Sequence, residues 1–413
     1  MRAPILDRLC RAAVLRALEG WRVGRLELEL PDGASKSFGP ATADERVRVR
    51  VRHERLFRRF ALQGDLGAGE AYVDGDWSAD DLALMARLSL LNQEALALET
   101  PLTRLLNLGE TLRSRLRRNT RRGSRRNVRD HYDLSNELFE LFLDETMTYS
   151  SAVFEWEGQP LAEAQRHKYR LLAEKAGVGP GQHVLEIGCG WGGFAIEAVR
   201  RYGCRVTGIT LSERQLELAR RRVAEAGLSD RIELRLQDYR DVEGRFDRIV
   251  SIEMFEALGR EHWPVFFRRC DELLAPDGLM SLQAIALPDH RFDSYARHGD
   301  WIQKRIFPGS LLASVHHVTG AMAHSSRLIV NHLEDIGLHY AETLRRWRGA
   351  FLAHLDRVRE LGFDERFVRT WDYYLSVCEA SFATRSLQNL QLVLTRPMNR
   401  SLPGLPADRR AAA

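Results

Sequence analysis

No stretch of these 413 residues approaches the roughly 20 consecutive apolar residues that a membrane-spanning helix needs. The opening MRAPILDRLCRAAVLRALEGW is broken by charge throughout, so no signal-peptide core is expected there. Cysteine is scarce. Its five copies lie far apart without a CxxC pair, which argues against disulfides or a zinc site and for buried thiols in a reducing compartment. GxSxG is absent, so a serine hydrolase has no support. His316 and His317 are adjacent, and no further ligands stand at metal-site spacing, so no metal is expected. These absences lead us to expect a cytoplasmic protein.

Acidic residues are missing from Thr111 to Arg129, where nine arginines fall in TLRSRLRRNTRRGSRRNVR. Such a run is either a solvated linker or a patch for an anionic surface. It has no aromatic residue for stacking on bases, so acidic lipid is the better partner and no nucleic acid is expected. Peripheral association with the inner face of a membrane follows from that reading.

What is present falls into two styles. Residues 1–105 read as a small α+β domain. RLELELPDG alternates and ends in a turn, RVRVRVRHERLFRRFALQG shifts from strand to helical spacing, and DLALMARLSLLNQEALAL is helical. The basic stretch 106–130 reads as a linker, and 401–413 as a frayed tail. Between them, 131–400 alternates strand and helix: HVLEIGCG, GGFAIEAVRRYG, CRVTGITLS, SERQLELARRRVAEAGL, RIELRLQDYR, FDRIVSIEMF and GLMSLQAIAL. That order predicts a doubly wound, mostly parallel sheet covered on both faces, with Ser212 capping the second helix.

The first strand of that series runs into the bare turn GCGWGG. Glycines at 188, 190, 192 and 193 allow a tight turn and close approach of a ligand. Glu186, just ahead of them, argues against a pyrophosphate and for a cation. S-adenosylmethionine (SAM), with its ammonium and sulfonium, suits that acid. Ser212 and Gln215 after the second strand, and LQDYR after the third, lie where ribose and adenine would be held.

The stretches HYDLSNELFELFLDETMTYSSAVFE, VLEIGCGWGGFAIEAV, GITLSERQ, LQDYRD, FDRIVSIEMFEALG, IQKRIFPGSLLAS and WDYYLSVCEASF give the resemblance. The chain resembles the cyclopropane fatty acid (mycolic acid) synthase family, SAM-dependent enzymes that alkylate double bonds of lipid acyl chains. The resemblance spans essentially 131–396, and LGAGEAYVDGDWSADDLALM is similar to the family's N-terminal domain. It implies a Rossmann-like class I methyltransferase fold acting on unsaturated phospholipid acyl chains. It also implies cofactor contacts from Tyr149, Ser150, Glu186, Gly188, Gly190, Trp191, Gly192, Thr210, Ser212, Gln215, Gln237 and Asp238.

For the chemistry, the family holds a bicarbonate ion as general base, liganded by a cysteine, a glutamate, a histidine, a backbone amide and a tyrosine. Glu256, Ile285 and Tyr340 stand at three of those positions. Ser151 replaces the cysteine and Gln283 the histidine, which puts bicarbonate binding in doubt. Glu253 and Glu256, three apart on an expected helical turn, would face the same side and could share the base role. A solvated surface acid is the plainer reading of Glu253. Ring formation is the leading expectation, with C-methylation to a methyl-branched or methylene chain as the alternative. A nucleic-acid methyltransferase and a non-catalytic lipid-binding protein are the competing readings of other classes. None of these readings fixes whether the chain forms a homodimer.

Overall fold

Alternation of arginine and valine in RVRVRV puts every valine on one side of an extended chain. The computed structural model describes residues 5–96 and 135–402. In it this stretch is strand β3 (Arg46–Val51), with its valines buried and its arginines exposed. It joins β1 (Arg25–Glu29), β2 (Ser35–Phe38) and β4 (Trp77–Ala79) in a sheet of order β2-β1-β3-β4. The hairpin expected at RLELELPDG is the antiparallel β1/β2 pair. β1 and β3 run parallel, so Arg50 lies opposite Glu29 and the two pair at 2.9 Å.

This sheet belongs to one of two compact units, made of the described residues of 1–118 with Arg291–Pro308 and Leu344–Leu387. The other comprises the described residues of 119–290 with Gly309–Thr343 and the described part of 388–413. The chain is thus divided differently from the expected boundaries near 105 and 131. Late segments complete the first unit through Trp301, whose Nε1 donates to Glu70 at 3.1 Å, and through Tyr72, whose hydroxyl donates to Asp372 at 2.6 Å. The expected linker 106–130, with its arginine run, lies outside the described residues, as does nearly all of the expected tail.

The second unit is built on a seven-stranded sheet of order β10-β11-β9-β8-β5-β6-β7. Its strands are β5 (His183–Ile187), β6 (Arg205–Thr210), β7 (Ile232–Leu236), β8 (Phe246–Ile252), β9 (Leu274–Ala286), β10 (Ile329–Asp335) and β11 (Gln388–Thr395). The five expected strands are the parallel ones, β5 to β9. β11 adds antiparallel to β9, and β10 antiparallel to β11. The helix Gly193–Tyr202 ends at Gly203 in the left-handed conformation, and Ser212 caps Glu213–Glu225 by accepting from the Gln215 N–H. A core of Val184, Phe194, Ala198, Val206, Leu216 and Val250 joins sheet to helices. After β5 the chain winds outward through β6 and β7, then returns to β8 on the other side. The carboxyl ends of β5 and β8 therefore flank the switch point, where such sheets bind ligands. Among the described residues no helix is long and apolar enough to cross a membrane.

Candidate active site

The cleft at this switch point is lined by Tyr149 and Ser150, by Glu186, Gly188, Gly190 and Trp191, by Thr210 and Gln215, by Gln237 and Asp238, and by Glu253. Ten of the twelve residues expected at the cofactor lie along this cleft. Gly190 has φ +49°, and a Cβ built on it would meet nothing within 4 Å. Gly190 also lines the cleft, so a ligand can approach the backbone there. Glu186 is buried, and its Oε2 has no hydrogen-bond partner. Burial pushes this carboxyl well above the usual range, against the pull of Lys168. An orphaned buried carboxylate oxygen beside an open glycine turn fits a cationic cofactor such as SAM.

The remaining expected contacts divide. Thr210 donates to the Gln215 amide oxygen at 2.9 Å, which orients that amide on the cleft wall. Ser212 and Gly192 are absent from the lining: the Ser212 hydroxyl is spent on its helix cap, and Gly192 takes the N-cap position of Gly193–Tyr202. Asp238 is already in a bidentate pair with Arg240, at 2.8 and 2.6 Å. Trp191 is both cleft wall and packing residue. It lines the cleft, yet it is buried, donates to Asn136 at 2.9 Å and packs on Phe139, which in turn meets Tyr149.

The departure from expectation lies at Glu253. It is not on a helical turn, because it follows β8 directly with φ +50° and precedes a short 3-10 turn at Phe255–Ala257. Nor is it a solvated surface acid. Its Oε1 accepts from the Ser151 N–H (3.0 Å), Gln283 Nε2 (2.8 Å) and Asn389 Nδ2 (2.6 Å), and its Oε2 accepts from the Tyr340 hydroxyl (2.8 Å). Ser151, Gln283 and Tyr340, three of the five groups expected around a bicarbonate ion, converge instead on this side chain. Only the Ser151 backbone takes part, since its hydroxyl donates to the Ala152 carbonyl. With three donors on Oε1 and one on Oε2, the spare lone pair is on Oε2.

β11 explains how Gln283 is aimed. Gln391 lies directly opposite it in the β9/β11 register, and Gln391 Nε2 donates to Gln283 Oε1 at 2.9 Å. Lys175 in turn donates to Gln391 Oε1 at 2.6 Å. Each amide oxygen is thereby occupied, and the Gln283 nitrogen points to Glu253. Glu256 accepts from the Ile285 N–H, while its Oε2 is buried without a partner. Burial, and secondarily the charge of Glu253, pushes Glu256 up to about 8, so it carries a proton at neutral pH.

Sequence reading missed Lys168, Asn389 and Gln391. A lysine at 168 falls on the stripe of Ala164 and Leu172 in the helix Leu161–Lys175, and all three are buried. NLQLVLT places Asn389 and Gln391 at alternate positions, hence on one face of a strand. The available signals were a charge in an otherwise apolar helix stripe and a largely polar face on a stretch whose other face is all leucine.

Comparison with known proteins agrees with this geometry. The family model for mycolic acid cyclopropane synthetase matches residues 119–392. A tuberculostearic acid methyltransferase of Mycobacterium tuberculosis is 41% identical over 93% of this chain and 92% of its own length. The cyclopropane-fatty-acyl-phospholipid synthase of Escherichia coli K12 is 34% identical over 88% of this chain and 91% of its own. Among solved structures, a mycolic acid cyclopropane synthase complexed with SAH and CTAB superposes with a TM-score of 0.61 at 33% identity, covering 65% of this chain and 97% of that one. On the cleft, the sheet order and these matches together, the chain belongs to the mycolic acid cyclopropane synthetase family of SAM-dependent methyltransferases.

Proposed function

We propose that the protein transfers a methyl group from SAM to the double bond of an unsaturated phospholipid acyl chain. In this reading Glu253 takes a proton from the transferred carbon so that a cyclopropane ring closes. One observation carries it: four donors fix the Glu253 carboxylate at the cleft wall with Oε2 open to a proton. When bound, SAM supplies a methyl group made electrophilic by its sulfonium. Glu186, Gly188 and Gly190 hold the cofactor's methionine part, Thr210 and Gln215 its ribose, and Gln237 with Asp238 the adenine side. Trp191, packed on Phe139, closes the turn against water. The residues present do not fit bicarbonate, because each expected donor is already engaged: Gln283 and the Tyr340 hydroxyl by Glu253, the Ser151 hydroxyl by the Ala152 carbonyl, and the Ile285 N–H by Glu256; no step is assigned to that ion.

A methyl branch without ring closure is the second reading, favoured by the similarity to the tuberculostearic acid methyltransferase. Incubation with SAM and a monounsaturated phospholipid, followed by mass spectrometry of the acyl chains, tests both. A gain of one CH2 that resists hydrogenation marks a ring, a gain that hydrogenation alters marks a branched alkene, and unchanged chains contradict the proposal.

Delivery of such a substrate calls for contact with a membrane surface, and the arginine run at 111–129 is the element suited to it. Replacing Arg117, Arg118, Arg121 and Arg122 with glutamine should weaken binding to anionic vesicles by about 1 kcal/mol per charge. Activity on detergent-dispersed lipid should fall far less. Equal losses in a vesicle sedimentation assay and in the detergent assay would show that the run acts only as a linker.

A further inference from the structure

Lys168 is completely buried, a rare place for an ammonium group. Its Nζ donates to the Ser150 hydroxyl at 2.6 Å and lies 4.4 Å from the centroid of the Tyr169 ring. Its helix neighbours grip the same segment. Gln165 donates to the Ser150 carbonyl at 2.8 Å, and the Tyr169 hydroxyl shares a hydrogen with Thr148 at 2.5 Å. Three side chains of one helix thus hold Thr148 to Ser150, which line the cofactor cleft, and the next residue donates to Glu253.

Three carboxylates act on the ammonium: Glu253, Asp144 and Glu186. They favour its charge, burial disfavours it more, and the group is brought down to about 7. A cation arriving beside Glu186 and Glu253 meets carboxylates that already act on one, held on Ser150 of the cleft wall. Two positive charges in so dry a space repel strongly, and only one of them can be discharged by losing a proton.

We propose that Lys168 is a positioning residue whose ammonium is the resident counter-charge of the cleft, and that it yields its proton to solvent when the sulfonium cofactor enters. The inference rests on the reading that this cleft binds SAM. In the step an N–H bond breaks, the electron pair stays on Nζ, and the proton passes to the buffer. Once the methyl group has left, the sulfur is neutral and Lys168 takes a proton back. SAM and SAH carry the same amine and carboxylate, so the difference between them isolates the sulfonium charge. The preference for SAM over SAH should therefore rise with pH up to about 7. Below that value it should fall by up to about tenfold per pH unit.

Calorimetric titration of the full-length protein with SAM, and separately with SAH, in two buffers of different ionisation enthalpy measures the protons exchanged. SAM is expected to release more protons than SAH, by up to one. Lys168→Met should remove that difference and make the affinity ratio independent of pH. Lys168→Arg, a permanent cation, should lower SAM affinity about tenfold relative to SAH. Equal proton release for the two ligands in the wild-type protein overturns the proposal, as do variants that weaken both ligands equally. Failure of both ligands to bind the wild-type protein would instead sink the cofactor assignment on which the proposal rests.

Discussion

Glu253→Gln is expected to lower turnover by about 100- to 10,000-fold, the usual worth of a general base, while SAM still binds. Glutamine cannot accept the proton. Its amide nitrogen would also turn a donor toward either the Tyr340 hydroxyl or the three donors now aimed at Oε1. Glu256→Gln should cost far less, within about tenfold, because Glu256 already carries a proton and one carboxyl oxygen still meets the Ile285 N–H. This order reverses the expectation that Glu256 anchors the base. The two variants differ in stability as well. Glu256 rises in the folded protein from 4.5 to about 8, so the folded state holds that proton more tightly than the unfolded chain. Its contribution is fully present below pH 4.5 and is lost as pH rises toward about 8. Glu256→Gln should therefore flatten the dependence of melting temperature on pH across that window. Single-turnover rates and thermal melts on both variants check the pair of claims. Equal losses of activity would remove Glu253 from the role given to it here.

Gly190→Val should abolish measurable SAM binding in a protein that still folds. At φ +49° a left-handed backbone costs an L-residue roughly 1–2 kcal/mol, and a β-branched residue suffers most. That strain alone is tolerable for a unit with so extensive a core. The larger effect is steric: the new Cβ and its methyl groups would fill the open space through which the ligand reaches the turn. Calorimetry with SAM, with circular dichroism to verify folding, is the measurement. Wild-type affinity in the folded variant would mean that this turn does not hold the cofactor.

Local pattern made the parallel half of the fold legible. Each of β5 to β9 is announced by a short apolar or alternating segment next to a turn or a helix cap, and GCGWGG with Glu186 marks its own chemistry. The antiparallel strands β10 and β11 were not legible. Their partners lie far off in sequence, and NHLED and NLQLV have no turn between them to announce a hairpin. The surroundings of Glu253 were hidden for the same reason. Glu253 was weighed by its spacing to Glu256, which assumes a helix, whereas the chain leaves β8 through a left-handed residue that turns the carboxylate toward β9 and β11. Nothing local to SIEMF reports Asn389 or Tyr340, each roughly 90 to 140 residues away along the chain. Lys168 was passed over because a lysine on a helix is ordinarily solvated; only its place between Ala164 and Leu172 argued otherwise.

The measurement that tests the central claim most directly follows the methyl hydrogens themselves. The protein is incubated with SAM carrying a fully deuterated methyl group and a monounsaturated phospholipid, in carbonate-depleted buffer, and the acyl products are weighed by mass spectrometry. With Glu253 as a built-in base, turnover should proceed without added bicarbonate, and the transferred carbon should keep two of its three deuterons. A product that keeps all three, or turnover that appears only when bicarbonate is restored, would contradict this account.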